Sequence, residues 1–146
     1  MPKRIVVIGA VALGPKAACR FKRLEPESEV TMIDQNHLIS YGGCGIPYFI
    51  SGDISDPGQL RATSFNMLRD EAFFHEAKDI QVLTNTRAVA IDRRAKTVQA
   101  VHLPSGKRSV LGYDKLVIAT GARPKRLPVP GSDMDTLFQV SSMDEA

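Results

Sequence analysis

The sequence predicts an α/β fold: a Rossmann-like parallel sheet with helices, joined to a small antiparallel β-meander. The β-branched run Ile5–Ile8 ends at Gly9 and is followed by a helical pattern and a second run, Val30–Ile33. Together they form the β–turn–α–β unit of dinucleotide-binding proteins. Lys115–Ala119 is apolar after its lysine, as in strands buried on both faces. Residues 88–111 form short alternating runs around a Pro-Ser-Gly turn, which indicates antiparallel strands.

Two helices are predicted. The first is expected to start near Gly14-Pro15, because proline fits the first turn of a helix, and to stop near Glu25-Pro26. Its side chains predicted to lie in the core are Ala17, Ala18, Cys19, Phe21 and Leu24. The second is predicted over Phe65–Lys78, before a strand at Ile80–Leu83. The buried positions expected on it are Met67, Leu68, Phe73 and Ala77.

Length and composition limit the possible classes of protein. The 146 residues allow at most one compact domain, and the net charge of 19 − 16 = +3 is too small to indicate a nucleic-acid partner. No run approaches the roughly 20 apolar residues of a membrane span. Two cysteines make no disulfide framework, which favours a cytoplasmic setting. The dense Pro/Gly stretch up to Gly131 predicts a domain over 1–131 and an exit linker over 132–146.

The glycine turn, Gly9–Gly14, has the spacing of a dinucleotide fingerprint, although Val11 stands where the middle glycine usually is. Gly9 would permit the tight turn, Gly14 the close packing of helix on strand, and the helix N-terminus would face a pyrophosphate. Asp34 lies 20 residues beyond Gly14, where an acid can bind a ribose hydroxyl. The alternative is a flavodoxin-like turn with an incidental aspartate.

The segment Ser40–Tyr48 carries one cysteine among three glycines. Glycines let the backbone approach a large or flat ligand closely. If a helix starts near Gly45, Cys44 lies at its N-terminus, which favours thiolate over thiol. No second cysteine is near in sequence, so any redox cycle uses Cys44 alone, as a mixed disulfide or a sulfenic acid. A buried cysteine in a glycine-rich loop is the alternative.

A basic stripe is predicted on the first helix, where Lys16, Arg20 and Arg23 are spaced i, i+4, i+7. Such a stripe suits a phosphorylated ligand, and a solvated helix face is the alternative. Small residues at Ala119–Gly121 end a strand and allow backbone contact with a cofactor. The three histidines show no metal-ligand spacing, so no metal site is predicted.

Together these motifs resemble the FAD- and NAD-dependent pyridine nucleotide–disulfide oxidoreductases. The resemblance spans Lys3 to about Gly131 and is most specific at Ser40–Tyr48. It favours the single-cysteine branch, which includes coenzyme A disulfide reductase, NADH oxidase, NADH peroxidase and persulfide reductase. The branch with two cysteines is excluded, because no C-x₄-C pair is present.

The resemblance implies a role for each matching position, with Cys44 as the catalytic nucleophile beside the flavin. FAD would be bound by Gly9, Ala10, Val11, Ala12, Gly14, Asp34, Ala88, Val89, Ala119, Thr120 and Gly121. Coenzyme A would contact Lys16, Arg20, Arg23, Ser40, Gly43 and Lys78. Gly43 departs from the reductase pattern, which often has a polar side chain there, so one hydrogen bond to the ligand is missing.

The implied activity is reduction of a small-molecule disulfide, persulfide or peroxide by NADH or NADPH, with FAD relaying electrons to Cys44. Members of the family also have an NAD-binding domain, a later strand of the FAD domain and a dimerisation domain. Residues 1–131 would therefore be the first segment of an FAD-binding domain in a longer homodimeric enzyme, with 132–146 leading toward the NAD-binding domain. Alone they would not oxidise NADH.

Two other functions remain open at this point. One is an NADH oxidase or peroxidase in which Cys44 cycles through a sulfenic acid. The other is a non-catalytic nucleotide-binding or redox-sensing module.

Overall fold

The computed structural model describes residues 2–146, which form two sheets with helices packed on one of them. The strands are β1 Arg4–Ile8, β2 Glu29–Ile33, β3 Gln81–Leu83, β4 Thr86–Asp92, β5 Thr97–His102, β6 Arg108–Gly112 and β7 Lys115–Ile118. The α-helices are α1 Leu13–Leu24, α2 Ile46–Ile50 and α3 Glu71–Lys78. Short 3₁₀ turns cover Gly43–Gly45, Pro57–Leu60 and Met143–Glu145. The predicted α/β class is confirmed.

The parallel sheet has the strand order β3-β2-β1-β7, so β1 lies inside it. Side chains of β1 alternate between its two faces. Ile5 and Val7 join α1 and α3 in one apolar cluster, while Val6 and Ile8 join a second cluster on the other face. Each fully buried aliphatic side chain stabilises the fold by about 1.5–3 kcal/mol. The unbroken apolar run of β1 is therefore explained by burial on both faces.

The antiparallel sheet, in the order β4-β5-β6, covers the second face of the parallel sheet. Val98 and Ala100 of β5 pack against Val6 and Ile8, together with Tyr113. The β5–β6 turn contains a glycine with φ of 69°, a backbone conformation that glycine adopts without strain. This sheet is the predicted β-meander, and it leaves the other face of the parallel sheet to α1 and α3.

The second predicted helix is wrong over its first six residues. Helix α3 begins at Glu71, because the side chain of Asp70 caps it by accepting a hydrogen bond from the backbone N–H of Phe73 at 2.9 Å. Residues 61–69 instead form a short hairpin, in which Met67 and Leu68 are 55% and 43% exposed. The helix buries Phe74, while Ala77 is exposed.

Two further burial predictions are wrong at the ends of elements. Leu24 is 61% exposed, and the last turn of α1 is held by polar contacts of Lys22. The Lys22 Nζ donates to the carbonyl of Ser28 at 2.7 Å and pairs with Asp79 at 2.5 Å. Ile118 is 61% exposed, because β7 is an edge strand in this sheet.

A third apolar cluster lies beside the glycine turn, and we call it the loop cluster. Its buried members are Tyr41, Ile46, Leu60 and Met143. Met143 belongs to the segment predicted as an exit linker, and that domain boundary stays a prediction. Across residues 2–146, none of the helices combines the length and the apolar character needed to cross a bilayer.

Candidate functional site

The glycine turn connects the ends of three elements at one edge of the parallel sheet. Gly9 has a φ of 104°, and a Cβ placed on it would lie 2.2 Å from the carbonyl oxygen of Ala119. A Cβ on Gly14 would lie 1.7 Å from the carbonyl oxygen of Gly9. No side chain fits at either position, so β1, α1 and the end of β7 approach each other through bare backbone. Contact of these residues with a cofactor stays a prediction.

The side chain of Val11 is half-buried and packs against the loop cluster. This contact explains how a branched residue is accommodated where the fingerprint usually has glycine. The sequence could not reveal it, because the residues of the loop cluster come from four separate parts of the chain.

Asp34 is 8% exposed, and backbone groups hold its carboxylate. The Ala10 N–H donates to Oδ2 at 2.7 Å, and the Asn36 N–H donates to Oδ1 at 2.9 Å. The Asp34 carbonyl in turn accepts from the Thr86 N–H at 2.8 Å. Asp34 therefore ties the glycine turn to the start of β4, a role that the sequence analysis missed.

Backbone groups that are free of strand pairing occur within β4 and at the end of β7. Strand β4 has an irregularity between Ala88 and Ala90, which leaves Val89 out of the pairing with β5. Such bulges free backbone groups and are common next to ligand sites. At the end of β7, Thr120 and Gly121 are exposed. The structure therefore brings Gly9, Asp34 and the end of β7 together at one edge of the parallel sheet, while Ala88 and Val89 lie in the antiparallel sheet.

Cys44 is exposed and lies in the 3₁₀ turn that leads into α2, so the alternative of a buried cysteine is wrong. The segment before it is bonded to the glycine turn, because the Ser40 N–H donates to the Ala10 carbonyl at 2.8 Å. A Cβ on Gly45 would lie 2.2 Å from Leu60 Cδ2, whereas one on Gly43 would meet nothing within 4 Å. Cys44 is thus accessible on a turn that is packed on its Gly45 side and open on its Gly43 side.

A cavity of about 460 Å³ opens beside this turn, and its lining is mostly apolar. It lies between α2 and the C-terminal segment. Its lining residues are Gly43, Ile46, Pro47, Ile50, Ser51, Val140 and Ser141. An apolar part of a ligand that reaches Cys44 could be covered here.

The predicted basic stripe is present, since Lys16, Arg20 and Arg23 are all exposed on α1. Burial raises the pKa of the Cys19 thiol, while the nearby charges of Lys78 and Arg23 lower it by less. The charges of Lys78 and Arg23 therefore both lie near Cys19, although Lys78 comes from α3. Ser40 differs from these residues because it is buried. Over residues 2–146, no cluster of three or more His, Cys, Asp or Glu side chains could hold a metal ion.

The fold and site define an α/β unit of the dinucleotide-binding type, with an accessible cysteine on a loop that is hydrogen-bonded to its glycine turn. A model of the pyridine nucleotide-disulphide oxidoreductase family matches residues 3–146, and the chain belongs to that family. It is 31% identical over 143 residues to a coenzyme A disulfide reductase of Staphylococcus haemolyticus, covering 98% of this chain and 30% of that protein. It is 28% identical to an NADH oxidase of Methanocaldococcus jannaschii, in a match that covers 97% of this chain and 30% of that protein.

Among solved structures, an NAD-dependent persulfide reductase from A. fulgidus is 41% identical, with a TM-score of 0.90, covering 97% of this chain and 26% of that one. The chain thus spans about 30% of the length of the curated relatives. The resemblance inferred from the motifs is confirmed at the level of the family.

Proposed function

We propose that this chain is the FAD-binding part of an NAD(P)H-dependent disulfide reductase that acts on coenzyme A disulfide or a related persulfide through Cys44. The observation that carries the proposal is the exposed Cys44 on a turn bonded to a dinucleotide-type glycine turn. A thiol in this position is accessible to a substrate and lies on the loop joined to the cofactor edge. The whole protein's activity and substrate are part of the proposal.

The residues present fit the adenosine diphosphate half of FAD. Gly9 and Gly14 carry no side chain at the two ends of the turn, and the bulge at Val89 frees backbone in β4, whose first residue is bonded to Asp34. Asp34 would accept from a ribose hydroxyl while it holds the turn, because a carboxylate has about four acceptor sites and backbone N–H groups use two here. When bound, FAD supplies the two-electron chemistry that links NADH or NADPH to the thiol.

The basic stripe would hold the phosphates of coenzyme A. Lys16 and Arg23 are seven residues apart, so their backbones are separated by about 10 Å along α1, a span that suits several phosphate groups. Lys78, in the last turn of α3, would add a further charge. Arginine pairs with phosphate through two parallel hydrogen bonds, which orients the ligand as well as binding it.

The proposed reaction has two balanced steps. The Cys44 thiolate attacks one sulfur of the disulfide, the S–S bond breaks, and one coenzyme A thiolate leaves while the other stays joined to Cys44. Two electrons and a proton, supplied by NADH or NADPH, then cleave this mixed disulfide and restore Cys44. One NAD(P)H, one proton and one coenzyme A disulfide give NAD(P)⁺ and two coenzyme A thiols.

Several properties of the whole protein belong to the same proposal. We place the domain boundary near Gly131 and expect a homodimer, as the resemblance implies. The two free cysteines, Cys19 and Cys44, support a reducing, cytoplasmic setting. Residues 1–146 alone would lack the NADH site and would not oxidise NADH.

The test is NADH oxidation by the natural protein with coenzyme A disulfide as acceptor. Cys44→Ser is expected to abolish turnover and to keep bound FAD, whereas the matched control Cys19→Ser keeps both. Turnover by Cys44→Ser would contradict the proposal. Rapid NADH oxidation with oxygen or peroxide, and none with coenzyme A disulfide, would favour an NADH oxidase or peroxidase instead.

A further inference from the structure

The Val11 side chain lies between the glycine turn and the loop that carries the cysteine. It packs against the loop cluster, which includes Ile46, the first residue of α2 and the second residue after Cys44. The other apolar residues of the turn do not make this contact. Ala10 packs into the cluster on the helix side of the sheet, and Leu13 is 60% exposed.

Backbone hydrogen bonds join the same two segments next to Val11. Ala10 is fully buried, donates its N–H to Asp34 and accepts from the Ser40 N–H. Ser40 has a φ of 52°, a conformation that is uncommon outside glycine and fixes the direction of the chain toward Cys44. The glycine turn and the start of the cysteine loop therefore share one hydrogen-bonded frame.

Leu60 holds the other side of the cysteine turn. Its carbonyl accepts from the Gly42 N–H at 2.8 Å, and its side chain fills the space where Gly45 would have a Cβ. Leu60 also belongs to the loop cluster that Val11 contacts. Cys44 thus lies on a turn between Leu60 and the start of α2, and Val11 packs against the cluster that contains Leu60 and Ile46.

We propose that Val11 is a positioning residue, whose side chain fixes the Cys44 loop relative to the phosphate-binding turn. This inference rests on the proposed function, because it takes Cys44 to be the reacting thiol. It assigns a purpose to the departure from the glycine fingerprint. Restoring glycine would ease the approach of a pyrophosphate and would loosen the Cys44 loop. FAD binding and the mobility of the loop can therefore be measured as two separate effects of the substitution.

The experiment compares Val11→Ala, Val11→Gly and Val11→Ile in the natural protein. Hydrogen exchange is measured at the Ser40, Gly42 and Gly45 amides, and the FAD dissociation constant is measured by flavin fluorescence. We expect Val11→Ala and Val11→Gly to speed this exchange about tenfold or more, because a void opens in the loop cluster. Val11→Ile is expected to keep exchange slow, and neither Val11→Ala nor Val11→Gly is expected to weaken FAD binding.

Two matched controls separate positioning from general destabilisation. Val98→Ala removes the same two methyl groups from the cluster beneath the β-meander, and Val110→Ala removes them from an exposed position. Neither is expected to speed exchange at the three amides. At saturating FAD and NADH, Val11→Ala should lower kcat with coenzyme A disulfide, whereas Val98→Ala should not.

Unchanged exchange in Val11→Ala, or equal acceleration by Val98→Ala, would overturn the inference. Tighter FAD binding by Val11→Gly with unchanged exchange would mean that Val11 acts only by crowding the phosphates, and would also overturn it. The exchange data do not depend on disulfide reduction. A failure of the proposed function would appear instead as turnover by Cys44→Ser.

Discussion

At Gly14, the space that a side chain would need is filled by the carbonyl oxygen of Gly9, 1.7 Å from the ideal Cβ position. We expect Gly14→Ala to destabilise the protein by about 3 kcal/mol or more, the upper end of overpacking costs, because the obstacle is backbone. Urea unfolding measures the effect. The control is Gly43→Ala, whose Cβ meets nothing within 4 Å and which should change stability by less than about 1 kcal/mol. Equal losses in the two variants would contradict this packing.

Gly43 offers room for a gain in substrate affinity. Gly43→Asn would place an amide on the residue next to Cys44, at a position where the Cβ meets nothing within 4 Å. One new hydrogen bond contributes about 0.5–1.5 kcal/mol, so the KM for coenzyme A disulfide should fall about two- to tenfold while kcat changes little. Gly43→Ala is the control, because it adds the Cβ without the amide. A KM that is unchanged or higher in Gly43→Asn would show that the ligand does not pass this position.

Single residues differ in how much of their role the sequence reveals. Gly9, Gly14 and Asp34 can be recognised from residue type and spacing, because the turn allows few alternatives at those positions. Sequence does not reveal the hydrogen bonds from backbone to Asp34 or the packing of the Val11 side chain, since both depend on partners distant in sequence. The sequence could suggest that Cys44 is reactive, but its exposure required the fold.

The basic stripe on helix α1 can be tested by reversing the charge of two of its residues. Arg20→Glu combined with Arg23→Glu should raise the KM for coenzyme A disulfide about tenfold or more, because charge-assisted hydrogen bonds to phosphate are lost. FAD content should not change. The matched control is Arg93→Glu with Arg94→Glu, in the exposed turn between β4 and β5. If both double variants raise KM equally, the stripe acts as a general charge and not as a site.

Among the elements, the predictions hold best where the apolar pattern is long and decisive. Strand β1 was predicted because burial on both faces requires an unbroken apolar run. The stretch before α3 was assigned to a helix because Met67 and Leu68 are apolar, although both are exposed on a hairpin. The start of α3 is set by Asp70, whose side chain caps the helix. Apolar periodicity alone does not identify such a capping residue.

The whole molecule should be most stable between about pH 4 and pH 9. The Lys22 hydrogen bond lowers the pKa of Asp79, and backbone N–H donors from Arg4 and Ser141 lower those of Asp114 and Glu145. A carboxyl with a lowered pKa stabilises the fold above its usual pKa, and this contribution is lost as the pH falls through the lowered pKa. The Tm should therefore drop below about pH 4.

At alkaline pH the stability of the fold falls as the pH rises, the reverse of the trend at acid pH. Burial raises the pKa values of Cys19 and Tyr41, so the folded protein keeps these protons at a pH where the unfolded chain releases them. Stability then falls as the pH rises above about 9. Thermal unfolding from pH 2 to 11 measures both limits. Asp79→Asn, which suits the left-handed backbone there, should flatten the acid limb more than Asp133→Asn does. Identical acid limbs in the two variants would contradict the ion pair.

At the scale of the whole chain, the sequence predicts both sheets, because the apolar runs and the parallel β–α–β connection leave few arrangements. It did not predict that Met143 packs beside Tyr41 and Ile46. That contact joins segments about 100 residues apart, and no local pattern encodes such a pairing.

The central claim is that Cys44 alone exchanges with the disulfide, and it can be tested by trapping. The natural protein is incubated with coenzyme A disulfide without NADH or NADPH, digested without reductant, and analysed by mass spectrometry. We predict one coenzyme A per chain, joined to Cys44 and released on addition of NADH. Coenzyme A on Cys19, or full turnover without any adduct on Cys44, would contradict the account.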